Sequence, residues 1–142
     1  MGMDKILLAT DGSRHSAKTI DQAIKLAKKF DTEVTVLYVI EVNPQQGYDF
    51  FASYRTKEEE LLHAGENVLK KAAESFEEQG VKVKTRLEKG NPSDIICEIA
   101  QKENFDLVIL GGRGLGKISG VLLGSVSNAV ANCLNNNLMI IK

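Results

Sequence analysis

Short apolar runs alternate with segments of helical period along this 142-residue chain, and that alternation leaves few folds open. Residues 6–9, 33–40, 106–110 and 138–141 are apolar or β-branched apart from Glu33 and Asp106 at their starts. They are too short for helices and suit strands with both faces covered. Residues 16–30 carry Ala17, Ile20, Ala23, Ile24, Ala27 and Phe30 at helical spacing. Residues 55–79 repeat the pattern with Leu61, Leu62, Val68, Leu69, Ala72 and Phe76, and Gly80 suits the position just past that helix. Residues 81–87 alternate apolar with charged, the pattern of a strand at a sheet edge. Asn91-Pro92 then opens a third helix, with Asn as cap and Pro in the first turn. Ile95, Ile96, Ile99 and Ala100 form its core stripe, and a fourth helix is expected over 125–134. Strands separated by helices pair in parallel through right-handed crossovers. The expectation is an α/β three-layer sandwich, a five-stranded parallel sheet with helices on both faces. The length suits a single domain over residues 1–142.

Residues 111–127 read GGRGLGKISGVLLGSVS. They leave the run Leu107-Val108-Ile109-Leu110 and enter the helix that starts near Ser125. A glycine-rich loop between a strand and a helix gathers backbone amides around an anion, and the helix dipole favours negative charge there. Gly124, Ser125 and Ser127 stand at the helix start, the two serines adding hydroxyl donors. Two nucleotide motifs fail on spacing. The Walker pattern runs from Gly111 to Lys117, but Ile118 occupies the place of the magnesium-ligating hydroxyl. The dinucleotide fingerprint fails because Lys117 follows Gly112 and Gly114 where the third glycine belongs.

A third spacing fits throughout. Gly111, two residues, Gly114, nine residues, Gly124 and Ser125 form the G-x2-G-x9-G-[ST] pattern of ATP-binding universal stress proteins. The opening Ile6-Leu7-Leu8-Ala9-Thr10-Asp11-Gly12-Ser13 also resembles that family's first strand and its aspartate. The chain therefore resembles the universal stress protein family, ATP-binding subgroup, over essentially its whole length. The resemblance implies strand order 3-2-1-4-5, an adenine-nucleotide α-hydrolase-like sheet, with strands one and four side by side at the switch point. Asp11 and Gly111 end those two strands, so pattern and resemblance indicate one crevice.

What the resemblance implies for that crevice can be stated residue by residue. Gly111, Gly114, Gly124, Ser125, Val126 and Ser127 cradle phosphate, with Arg113 either assisting or solvated. Lys117 and Ser119 reach phosphate or only water. Ala9 and Thr10 line the site, Val39 offers its backbone to adenine, and Leu110 lies under the nucleotide. Asp11 stands near ribose and phosphates, or near a nucleotide-bound Mg2+; without the resemblance, an Asp-Gly-Ser after a strand is more often a turn or cap. The cofactor implied is ATP or another adenine nucleotide, with Mg2+. The role implied is nucleotide-dependent stress regulation through a protein partner, with weak or no hydrolysis. Two alternatives remain open: an ATP α-hydrolase-type enzyme, and a dimeric stress protein that binds no nucleotide.

Composition sets the remaining expectations. A formal net charge of -1 makes no electrostatic case for nucleic acid or an anionic membrane. No run reaches the length of a membrane span and no signal peptide is visible, so the expected location is cytoplasmic. Cys97 and Cys133 each fall in an expected helix without metal-ligand spacing and read as buried thiols of a reducing compartment. His15 flanks the candidate site, whereas His63 lies on a helix with no partner in view. Residues 42–53 form an expected loop carrying Tyr48, Phe50 and Phe51, which either covers a site or packs on the surface.

The terminal run Leu138-Met139-Ile140-Ile141 is an apolar strand, and an edge strand of that kind invites pairing. The resemblance implies an antiparallel homodimer through it. Asn135-Asn136-Asn137 replaces the family's usual Cys-Pro before that strand. Sedimentation at micromolar concentration is expected to show a dimer that is lost when residues 138–142 are deleted. A monomeric intact protein would overturn this.

Overall fold

The computed structural model describes residues 3–41, 51–112 and 124–142, with residues 51–56 described in backbone only. Nine elements follow in order: β1 (Lys5–Ala9), α1 (Ser16–Phe30), β2 (Glu33–Ile40), α2 (Phe51–Glu78), β3 (Val83–Lys89), α3 (Pro92–Lys102), β4 (Leu107–Gly111), α4 (Ser125–Cys133) and β5 (Asn137–Ile141). The strands form one five-stranded sheet, β3-β2-β1-β4-β5, and every neighbouring pair is parallel. The expected order is therefore the observed one.

Strand alternation builds two cores on opposite faces of the sheet. Ile6, Leu8, Val34, Val36, Leu107 and Ile109 face α1 and α2, meeting Ala23, Ile24, Ala27, Leu69, Ala72 and Phe76. Leu7, Leu37, Val108 and Leu110 face the other way, meeting Ile96, Ile99, Ala100 and Val130 of α3 and α4. The central strands are apolar on both faces because both faces are covered. Burial of each large aliphatic side chain contributes about 1.5–3 kcal/mol. Among the described residues, no helix is long and apolar enough to cross a membrane.

Local chemistry sets the element ends. Asn91 caps α3, its side chain accepting from the Asp94 amide at 3.2 Å. Past α2, the amide of Gly80 donates to the Glu77 carbonyl, and that of Val81 donates to the Phe76 carbonyl. This is the glycine-closed helix end, with Val81 and Phe76 both buried. That use of Val81 is why β3 begins at Val83, two residues later than the sequence pattern indicates. The start of α2 at Phe51 takes the last residues of the expected 42–53 loop into the helix, since no Gly or Pro follows Gly47 there. The rest of that loop, with Tyr48 and Phe50, lies outside the described residues. Gly65 sits inside α2 because the helix runs close to the sheet. A Cβ there would lie 2.9 Å from Leu87 Cδ1 and 3.1 Å from Tyr38 Cδ1.

One expectation is corrected. Cys97 and Cys133 are not free thiols: a disulfide joins them, with Cα atoms 6.3 Å apart. Residues 36 positions apart meet because α3 and α4 lie side by side on one face, which spacing along the chain does not reveal. Only Cys97 is buried; Cys133, at the end of α4, is exposed.

The asparagine run also has a structural task. Asn136 Nδ2 donates to the carbonyls of Ala100 (3.1 Å) and Phe105 (2.7 Å), and Asn137 Nδ2 donates to that of Asp106 (3.3 Å). These bonds tie the entry of β5 to the α3–β4 turn. Asn136→Ala is expected to lose about 1–3 kcal/mol of stability, since two carbonyls lose their donor. Urea unfolding with an unchanged m-value checks it, and a loss below about 0.5 kcal/mol would show that water replaces the side chain.

Candidate functional site

Strand order reverses between β1 and β4, whose connections leave toward opposite faces of the sheet. A crevice opens beyond strand carboxyl ends at such a point. Here it is a cleft open to solvent. Its floor is apolar: Ala9, Leu37, Val39 and Leu110 from the strand ends. Ile96 and Pro92 of α3 and Val126 of α4 form an apolar wall. Polar groups gather at the β1–α1 turn, where Thr10, Asp11, Ser13, His15 and Ser16 line the opening. An apolar slot with polar groups grouped at one side suits a flat ring carrying a polar tail.

The β1–α1 turn is held by its own side chains. The Thr10 amide donates to the Leu37 carbonyl at 2.9 Å, which fastens the turn to β2. Asp11 Oδ1 accepts from the Ser13 amide at 2.9 Å, and Thr10 Oγ1 accepts from the Gly12 amide at 3.2 Å. Asp11 is thus a turn-former as well as a lining residue, and its carboxylate keeps acceptor capacity for a ligand. Gly12 is left-handed at φ 75°, and a Cβ on it would stand 2.9 Å from Val68 Cγ2 of α2. The Ser13 hydroxyl is shielded from solvent without a hydrogen-bond partner among the described residues.

The other rim is built at the ends of the glycine stretch. The Gly112 amide donates to the Ile141 carbonyl (2.8 Å), and the Gly124 amide donates to the Gly112 carbonyl (3.1 Å). Ser127 Oγ donates to the Gly111 carbonyl at 2.8 Å. Gly112 and Gly124 therefore meet at one point, next to Gly111 in the lining of the cleft. Gly124 caps α4 without any side-chain hydrogen bond. The first amides of a helix have no acceptor within it. Among the described residues those of Ser125, Val126 and Ser127 find no acceptor outside the helix either, and the helix dipole favours negative charge at this end.

The sequence candidates divide accordingly. Ala9, Thr10, Asp11, Val39, Leu110, Gly111, Val126 and Ser127 line the one cleft. Gly124 and Ser125 stand at the entry to α4, outside its lining. Arg113 and Gly114, with Lys117 and Ser119, lie outside the described residues. Two of the candidates also bond within the chain. Ser127 is buried and its proton is committed to Gly111, so it fixes the rim and is not a free donor. Gly124 spends its amide on Gly112, so it positions α4. Gly111 and Gly112 serve close packing: a Cβ on each would lie 3.2 Å from Thr19 Oγ1 and 3.1 Å from Ile140 Cγ2. Sequence reasoning missed Leu37, Ile96 and Thr19, which look like ordinary core positions. It also passed over Ser13 and Ser16, for which adjacency to Asp11 was the available signal.

Known proteins share this architecture. Residues 2–142 match the universal stress protein family. The universal stress protein MJ0531 of Methanocaldococcus jannaschii is 36% identical over 138 residues, spanning 97% of this chain and 81% of its own. The solved structure of the protein MJ0577 superposes with a TM-score of 0.88 at 25% identity, covering 100% of this chain and 97% of that one. A universal stress protein from Archaeoglobus fulgidus, solved in complex with dAMP, superposes with a TM-score of 0.74 at 21% identity over 100% of both chains.

The left-handed turn at Gly12 carries a prediction. Gly12→Ala is expected to cost about 1–2 kcal/mol from the backbone conformation alone, and more if Val68 cannot move aside. Denaturant unfolding measures the loss. No loss would mean that the turn adopts another conformation in solution.

Proposed function

The chain belongs to the universal stress protein family, and from that premise we propose that it binds an adenine nucleotide, ATP with Mg2+, in the cleft between β1 and β4. The observation that carries this reading is one continuous surface: an apolar slot formed by Leu37, Val39, Ile96 and Leu110 that leads to the start of α4, which no side chain of its cap residue closes. Adenine fits the slot, with the backbone of Val39 meeting its polar edge and Ala9 and Thr10 beside it. Asp11 accepts from the ribose or serves the magnesium ion. A single carboxylate is enough when phosphates supply most of the other ligands, as is usual for Mg2+. The phosphates lie against the amides of Ser125, Val126 and Ser127, with Gly111, Gly114, Gly124 and Arg113 completing the cradle. The dAMP complex of a protein with the same fold supports an adenine ligand.

In this reading residues 1–142 act as one domain, a binding and regulatory protein of the cytoplasm. It forms a homodimer through the free edge of β5 and transmits its nucleotide state to a protein partner during stress. No turnover is needed for that role.

Calorimetric titration with ATP, with and without magnesium, tests the reading. Gly114→Val places a side chain where the backbone comes closest to the phosphates. It is expected to weaken ATP by tenfold or more, about 1.4 kcal/mol, with little change in stability. Asp11→Asn keeps an oxygen for the Ser13 amide, so the turn survives while the magnesium dependence of binding falls. GTP is expected to bind more weakly than ATP. A wild-type dissociation constant above about 1 mM, or an unchanged Gly114→Val, would overturn the proposal.

A further inference from the structure

Among the described residues one covalent cross-link exists, and it lies behind the wall of the cleft. The Cys97–Cys133 disulfide fastens the middle of α3 to the last residue of α4. These two helices supply the cleft's apolar wall, through Ile96, the neighbour of Cys97, and through Val126. Among the described residues helix α4 has few buried side chains to hold it. It is nine residues long, a length that is marginal without tertiary anchorage, and only Ser127 and Val130 are buried. Among the described residues its other polar ties are Gly124 to Gly112 and Ser127 to Gly111 at one end and Gln101 Nε2 to the Cys133 carbonyl (2.8 Å) at the other. The bond is also accessible from one side, since Cys133 is exposed while Cys97 is 6% exposed.

We propose that the Cys97–Cys133 pair is a reversible dithiol–disulfide switch that sets how firmly α4 is held against α3, and so sets the affinity of the cleft. The ligand part of this rests on the adenine-nucleotide reading; the switching of α4 does not. In the reducing direction, a thiolate of a small dithiol attacks the Cys133 sulfur. The S–S bond breaks and Cys97 leaves as a thiolate that takes a proton. The second thiol of the reagent then displaces Cys133, leaving two protein thiols and one oxidised reagent, a transfer of two electrons. In the oxidising direction a low-molecular-weight disulfide accepts two electrons, releases two thiols and restores the bond. In a cytoplasmic setting a disulfide is of the transient, redox-sensing kind, which suits a bond that cycles. Oxidation holds Val126 and the first amides of α4 at the cleft. Reduction lets α4 move and weakens both the apolar wall and the anion site. Linkage makes the effect reciprocal: a ligand that prefers the oxidised form makes the bond harder to reduce by the same factor.

The test uses the full chain, treated with glutathione disulfide and then with dithiothreitol. Thiol titration is expected to find no free thiol after the first treatment and both cysteines free after the second. Hydrogen exchange at residues 125–130 should rise on reduction. ATP affinity should fall about fivefold or more, the lower end of ordinary coupling between linked sites. The double variant Cys97→Ser/Cys133→Ser should behave like reduced wild type and ignore dithiothreitol. Failure of glutathione disulfide to close the bond, or unchanged exchange at 125–130, would overturn the switch. Equal ATP affinity in the two forms would overturn it too, with the nucleotide reading left standing. If exchange changes but ATP binds neither form, the switching of α4 stands and the nucleotide reading falls.

Discussion

The parallel pairing of β1 with β4 is the contact on which the rest depends. Leu7 opposite Val108 and Leu8 opposite Ile109, all four fully buried, place two doubly covered strands side by side at the centre of the sheet. Their following connections depart on opposite faces, α1 toward one core and α4 toward the other. No helix can then cover the point between them, so a crevice is unavoidable. The site is thus a consequence of topology before any polar residue is considered.

What fills the crevice rim is decided by short-range hydrogen bonding. On one side Asp11, Thr10 and Leu37 hold the turn that Gly12 and Val68 press into shape. On the other, Gly112 bridges β5 and α4, accepting from Gly124 and donating to Ile141. Each rim is tied to the strand next to it, so small displacements of the sheet are felt at both. The walls are less constrained than the floor. Leu37 and Leu110 are locked in the core, whereas Val126 belongs to a short helix with few buried side chains. Any adjustability in this cleft therefore resides in its α3–α4 side, where the disulfide also lies.

A protein whose site combines a rigid floor with a separately anchored wall can bind one ligand at more than one affinity without altering its fold. The energy for such a change comes from ordering a single helix, a few residues' worth of conformational freedom at about 1–2 kcal/mol each. That is comparable with the coupling energies of regulated proteins. The same reasoning explains why the core can be insensitive to events at α4: the first hydrophobic layer, built on α1, α2 and Phe76, shares no helix with it.

Much of this protein was legible in its sequence. The unbroken apolar run Ile6-Leu7-Leu8 and the helical period of Ala23, Ile24 and Ala27 follow from local geometry alone, and so do the Asn91 cap and the Gly80 stop. Strand order came from a resemblance carried by spaced glycines; the strands themselves marked only β3 as an edge. Other features belong to tertiary structure because they join positions far apart in the chain. Leu37 and Ile96 look like core residues, and they are buried, until the switch point places them in the lining of the cleft. The Ser127 hydroxyl looks like a free donor until the Gly111 carbonyl is placed beside it. Cys97 and Cys133 look like two buried thiols until two helices on one face bring them together. A sequence records which groups a residue carries and what its near neighbours favour; which distant group claims those bonds is decided only when the chain closes on itself.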